Sequence, residues 1–272
     1  METTKHFIAG ELEHLRKQTL SPRIFEHYRT QQHARNDLHQ SQLICGADSP
    51  KDEILSIEFM NPGVPSRKII SRSNTKPTGR YPSIRLQRMV LWDSPHELNA
   101  YRLLDSDPAI LEFAEQPCII HYRLNGKCHR HYPDTLVKTA AGDALWEIKT
   151  ASDASRPDVA ERTHLMTTHL PAFGFQYQVV LAEDLSRQPR LRNVQFLLRH
   201  GREELSFEEQ EYARQLFTTV DRMKWQAVLC QNYKPFTLKH MCRLILEGQL
   251  LVDINQAFSP STIISVKGRR HG

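Results

Sequence analysis

The sequence predicts an α/β protein: a mixed sheet flanked by helices, followed by a smaller C-terminal module of helices and strands. Three observations carry this. Strand-like alternation recurs between residues 118 and 182. Amphipathic helical stretches lie on either side of it, one opened by Ser94-Pro95 and the other following Pro157. From about residue 186 the pattern changes to helices followed by two short strands. The expected domains are a helical extension over 1–64, the α/β domain over 65–185 and the C-terminal module over 186–272.

In chain order, residues 1–44 predict helix broken near Ser21-Pro22, with Phe7, Ile8, Leu12, Leu15 and Leu20 on one face. Ile54, Leu55, Ile57 and Phe59 alternate as in a short strand, and Asn61-Pro62-Gly63 signals a turn. No acidic residue occurs from Phe59 to Trp92, whereas Arg67, Lys68, Arg72, Lys76, Arg80, Arg85 and Arg88 fall inside that span. Such a segment suits contacts to phosphates, which position nucleic acid without reading its sequence; a solvated basic loop is the alternative.

A helix is expected over Ser94–Leu104, buried through Leu98, Tyr101, the stem of Arg102 and Leu103 or Leu104. Ser94, Pro95 at the first helical position and Glu97 three residues after the serine make a capping box. A short helix is expected around Ala109–Phe113. Next come three antiparallel strands: Cys118–Leu124, an Asn125-Gly126 turn, His131–Val137, a turn over 139–143, and Ala144–Thr150. A helix over Asp158–Leu170 and a strand over Phe175–Ala182 complete the mixed sheet.

Gln188 to Arg192 resembles a linker, and Val194–Leu198 a further strand. Ser206 with Glu209 opens a helix through Phe217, Trp225–Cys230 extends or restarts it, and Thr237 caps another that ends at Gly248. Strands over Leu250–Ile254 and Thr262–Val266 complete a winged-helix outline, whose second helix offers only Lys239, His240 and Arg243 as basic contacts. The tail, Lys267 to Gly272, is basic.

Composition sets the class. The chain has 272 residues, 39% hydrophobic and 25% charged, with net charge +5, as in a soluble protein that suits a polyanionic partner. No apolar run approaches membrane-spanning length, and the first 25 residues are too charged for a secretory signal. Five cysteines without zinc-like spacing are expected to be reduced thiols in a cytosol.

Chemistry concentrates on the predicted hairpin. Asp134 falls in its second strand, and Glu147 and Lys149 in its third. Alternation puts Glu147 and Lys149 on one face and Trp146 with Ile148 on the other, so acid and amine should lie side by side at the edge of the core. Two carboxylates on neighbouring strands can hold Mg²⁺, with Glu97 as a third. Lys149 would orient an attacking water and offset developing charge. An exposed cross-strand ion pair accounts for Glu147 and Lys149 equally well.

A longer ordered set of residues adds to this. It comprises Thr78 to Glu97 (TGRYPSIRLQRMVLWDSPHE), Leu103 to Pro108 (LLDSDP), Gln116-Pro117, Tyr132 to Val137 (YPDTLV) and Trp146 to Lys149 (WEIK). In order and spacing it resembles the N-terminal catalytic domain of TnsA-type transposon endonucleases, of the PD-(D/E)xK restriction-endonuclease-like superfamily. The resemblance covers about Ser66–Ser152. It implies a restriction-endonuclease-like fold with Glu97, Asp134 and Glu147 as metal ligands or organisers, the Ile148 backbone carbonyl as a further ligand and Lys149 as the catalytic lysine. It implies Mg²⁺ as cofactor, with Mn²⁺ able to substitute, and double-stranded DNA at transposon ends as substrate. Its partners would be a DDE transposase (TnsB-like) and an ATP-dependent regulator (TnsC-like), in a bacterial cytoplasm and at the nucleoid when bound to DNA. Some TnsA-type proteins resemble this chain but carry glutamine where Glu147 stands. A stand-alone restriction or repair nuclease of the same superfamily and a non-catalytic DNA-binding adaptor are the alternative functions.

Overall fold

A computed structural model describes residues 51–60 and 77–268. The expected helices of residues 1–44, Arg67, Lys68, Arg72, Lys76 and the end of the basic tail lie outside the described residues. Among those described, no helix is long and apolar enough to cross a membrane.

Compactness divides the described residues into two units, 51–60 with Gln116–Pro133, and 77–115 with 134–268. In the first, β1 (Glu53–Phe59), β5 (Cys118–Leu124) and β6 (Lys127–His131) form an antiparallel sheet in the order β1-β5-β6. Ile57 pairs with Ile120, and both are buried. The β5–β6 turn is the expected Asn125-Gly126, with φ of 51° and 73°, the positive pair that a two-residue hairpin requires.

The second unit begins with the hairpin β2 (Gly79–Ser83) and β3 (Arg88–Trp92), followed by α1 (Pro95–Ser106). Its main sheet comprises β4 (Ile110–Glu115), β7 (Thr135–Thr139), β8 (Gly142–Lys149) and β9 (Phe175–Leu181), in that order. The first three strands are antiparallel, and β9 joins β8 in parallel. The parallel return needs a crossover. It is made by the short α2 (Ala151–Ala154), α3 (Pro157–His169) and a 3-10 turn (Leu170–Phe173). Helix, three strands, helix, strand, in an α/β arrangement, is consistent with the restriction-endonuclease-like fold expected from the sequence.

Helix α1 lies against one face of this sheet. Ala100, Tyr101 and Leu104 are buried at helical spacing, and Tyr101 stacks on Phe113 at 5.7 Å. Tyr101 shares a cluster with Val137 and Trp146, and Ala100 one with Ile148. The opposite end of the stripe is polar. Buried Asp105 accepts hydrogen bonds from the Tyr81 hydroxyl (2.7 Å), the Ser83 hydroxyl (2.6 Å) and the backbone N–H groups of Ile84 and Arg85. That clamp fixes the β2–β3 hairpin to the end of α1.

After β9 come α4 (Ala182–Leu185), α5 (Arg190–His200) and α6 (Phe207–Thr219). β10 (Arg222–Lys224), α7 (Trp225–Leu229), α8 (Leu238–Leu246), β11 (Leu250–Leu251) and β12 (Ile263–Val266) follow, the strands pairing as β10-β12-β11. Gly201 ends α5 where a Cβ would stand 2.7 Å from the Arg243 nitrogen of α8, so only glycine allows this approach.

Four expectations are corrected. The strand expected over His131–Val137 is two strands in different sheets, β6 and β7, parted at Pro133, which cannot donate to a ladder. The three-stranded catalytic hairpin therefore does not exist as one sheet. The expected helix at Ala109–Phe113 is β4, and the expected strand at Val194–Leu198 belongs to α5. Its buried Leu191, Val194, Leu197 and Leu198 have a helical period that a five-residue window hides. Finally, the supposed linker Gln188 to Arg192 runs into α5, which packs on both α1 and α8. Residues beyond 186 consequently fall within the same compact unit as the main sheet.

Candidate active site

The site is built at the end of β8. Asp134 precedes β7, its N–H bonded to the Trp146 carbonyl at 2.9 Å, which locks it onto β8. Its Oδ2 accepts the Ile148 N–H at 2.6 Å. Alternation along β8 behaves as expected: Trp146 and Ile148 face α1, while Glu147 faces α3. Glu147 is not at an exposed edge, however. It is 3% exposed, because the crossover helix α3 covers that face of the sheet.

Two cations meet Glu147. Lys149 Nζ lies 2.5 Å from its Oε1, and Arg162 Nη2 of α3 lies 3.4 Å from the same oxygen. The Tyr177 hydroxyl of β9 is within hydrogen-bonding reach of Arg162 and in the field of Glu147. Burial and the Glu147 charge push that phenol above its usual range.

Glu97 takes the capping role that its position after Ser94 predicts. Its N–H donates to Ser94 Oγ at 3.2 Å, while its carboxylate accepts the Asp93 N–H at 2.8 Å and the Ser94 hydroxyl at 3.3 Å. Unlike a solvent-exposed cap, it is buried and lies on the same stripe as Ala100, Tyr101 and Leu104. Its charge reaches the site nonetheless. Burial raises the Asp134 carboxyl to about 8, and the fields of Glu147 and then Glu97 push the same way, against the Ile148 N–H and Lys149.

Among the described residues, no three His, Cys, Asp or Glu side chains converge as a closed ligand cluster. Glu97 is turned to the helix cap and Glu147 to its two cations. The donor chemistry still fits a hard divalent ion: carboxylate oxygens from α1, β8 and the segment entering β7, around an Asp134 that keeps its proton near neutral pH unless positive charge approaches. Ile148, expected to offer its carbonyl, uses its N–H to hold Asp134.

The structure thus brings Asp134, Glu147 and Lys149 together with Glu97 in their field. Of the expected phosphate-contacting residues, Arg80 is exposed on β2. Arg85 donates to the Asp107 carbonyl at 2.8 Å, and Arg88 makes two 2.7 Å bonds to the Glu115 carboxylate. These two side chains serve the fold. Sequence reasoning missed Arg162. Its signal was a charge on an apolar stripe, three residues after Val159 and four before Met166.

No curated protein matches the chain. Residues 107–181 match the family model for the TnsA-like endonuclease N-terminal domain, a span that holds Asp134, Glu147, Lys149 and Arg162 but begins after Glu97. Over that span the chain is similar to the TnsA-like endonuclease N-terminal domain.

Proposed function

We propose that this protein is a divalent-cation-dependent DNA endonuclease, the subunit of a Tn7-type transposase that hydrolyses the non-transferred strand at the 5′ ends of the element. The observation that carries this is the Asp134 carboxylate, pinned by the Ile148 N–H in the fields of Glu147 and Glu97. Lys149 sits beside it on Glu147, all within or next to the matched domain.

Asp134 and Glu147 would hold the cation, Mg²⁺ in the cell with Mn²⁺ able to substitute, and Glu97 would complete the set on leaving its cap. A cation there supplies Lewis-acid polarisation of the phosphodiester and lowers the pKa of its water. Lys149 can orient the attacking water and compensate charge on the phosphoryl oxygens. Arg80, exposed on β2, would be free to contact a phosphate.

The C-terminal elements fit a winged helix in their order and in the β10-β12-β11 pairing. We read this module as a protein-docking one, for a TnsC-like regulator. Its α8 buries six of nine residues, and its basic side chains are already paired. Lys239 bonds Glu209, His240 lies 3.3 Å from the same carboxylate, and Arg243 bonds Glu247. A helix so occupied has little to offer a DNA groove.

The test is strand-mapped cleavage of transposon-end DNA with Mg²⁺, with and without the TnsB-like transposase. Lys149→Ala should abolish cutting with cation binding largely kept, and Asp134→Ala should lose both. Cutting by the lone protein would favour a stand-alone nuclease. DNA binding without cutting under either condition would favour an adaptor.

A further inference from the structure

We propose that Arg162 is a positioning residue that holds the Glu147 carboxylate in its ligand orientation, so that Lys149 is free to leave Glu147 and act at the phosphate. The inference rests on the nuclease reading and adds a member to its site.

Both cations contact one oxygen, but their supports differ. Lys149 ends β8 on a flexible stem, its ammonium close to a side chain that must also serve as a ligand. Arg162 is fixed from two sides. Its helix is anchored by Val159, 5% exposed, and Met166, fully buried, one turn to either side. Its guanidinium also lies against the Tyr177 hydroxyl. A guanidinium carries a constant charge in a planar fork, which suits lasting contact with a carboxylate.

The fork is only half used. Nη2 reaches Glu147 Oε1 at 3.4 Å, and Nε is buried without a hydrogen-bond partner. Nε and Nη2 form the edge that grips a carboxylate with two parallel bonds. A small approach of α3 would seat that edge on Glu147 once Lys149 departs, satisfying the buried Nε and leaving the carboxylate aligned. A positive group near a cation site has a second possible effect, simple repulsion of the incoming ion, and the two have opposite signs. If Arg162 mainly repels, removing it tightens cation binding; if it positions, removing it weakens binding.

Calorimetric titration of the full chain with Mn²⁺ separates these. Arg162→Met, which keeps length and loses both charge and donors, should weaken Mn²⁺ binding about tenfold or more, the usual effect of losing a group that orients a metal ligand. Arg162→Gln, which keeps a donor without the charge, should stay within about threefold of wild type by the same reasoning. Thermal unfolding of each variant checks the fold. If Arg162→Met does not fold, Tyr177→Phe, which removes the anchor, should weaken binding in the same direction. Undiminished or tighter binding by Arg162→Met would overturn the proposal. So would Arg162→Gln binding as poorly as Arg162→Met. Wild type that takes up no Mn²⁺ would overturn the nuclease site itself and this role with it.

Discussion

Asp134 shows how one residue can be costly to the fold and useful to the site. Its carboxyl is raised from 3.8 to about 8, first by burial and then by Glu147 and Glu97. Below about pH 4 both folded and unfolded chains hold the proton; above that only the folded chain does, up to about pH 8. The unfolded state then binds fewer protons, so this residue's contribution to stability falls as pH rises through that window. Asp134→Asn removes the term. Without divalent cations, the variant should gain on wild type in melting temperature between pH 5 and 8, each kcal/mol being worth about 2–4 °C in a chain of this size. Added Mg²⁺ should narrow the gap by stabilising wild type alone. Parallel melting curves across this pH range would contradict the assignment. The residues that set this field were legible to different degrees. Asp134, Glu147 and Lys149 were visible from strand alternation and residue type. Glu97 was visible twice, as a cap and as an acid, and the structure shows the cap. Arg162 was missed because a basic residue in an ordinary amphipathic helix is expected to face solvent.

At the scale of elements, the basic segment before the site divides by partner. Arg88 grips Glu115, whose carboxylate is 2% exposed, through two bonds, whereas Arg80 stands exposed on the neighbouring strand. Removing one partner of a buried pair leaves an uncompensated charge at a cost of about 3–5 kcal/mol. Arg88→Ala should therefore lower stability by about that amount in chemical denaturation, while Arg80→Ala leaves stability unchanged and weakens DNA binding and its salt dependence. The opposite pattern would return Arg88 to the DNA surface. Sequence could not divide the two arginines, because Glu115 meets Arg88 only after β3 and β4 come together. The same limit explains the element errors. In β4 the short run ILEFAE suits helix or strand until β7 pairs with it. The hairpin Cys118–Thr150 looked continuous because alternation persists across Pro133, yet β5 and β6 belong to the sheet of β1, and β7 and β8 to the sheet of β4 and β9.

For the whole molecule, what the sequence predicted best was the order of the elements that carry these side chains: the helix with Glu97, the segment around β7 with Asp134, and β8 with Glu147 and Lys149. What it could not supply was compactness. The excursion of β5 and β6 into another unit, and the packing of α5 on α1, follow from contacts distant in sequence. The central claim is that Glu97, Asp134 and Glu147 serve one cation, although Glu97 now caps α1 and Glu147 pairs with two bases. The most direct measurement is Mn²⁺ titration calorimetry on wild type, Asp134→Asn and Glu97→Gln, the last of which can still fill the helix cap. Saturable binding that vanishes in Asp134→Asn, and weakens in Glu97→Gln with folding intact, is the predicted result. Absence of specific binding by wild type even with DNA present, or equal binding by all three proteins, would contradict it.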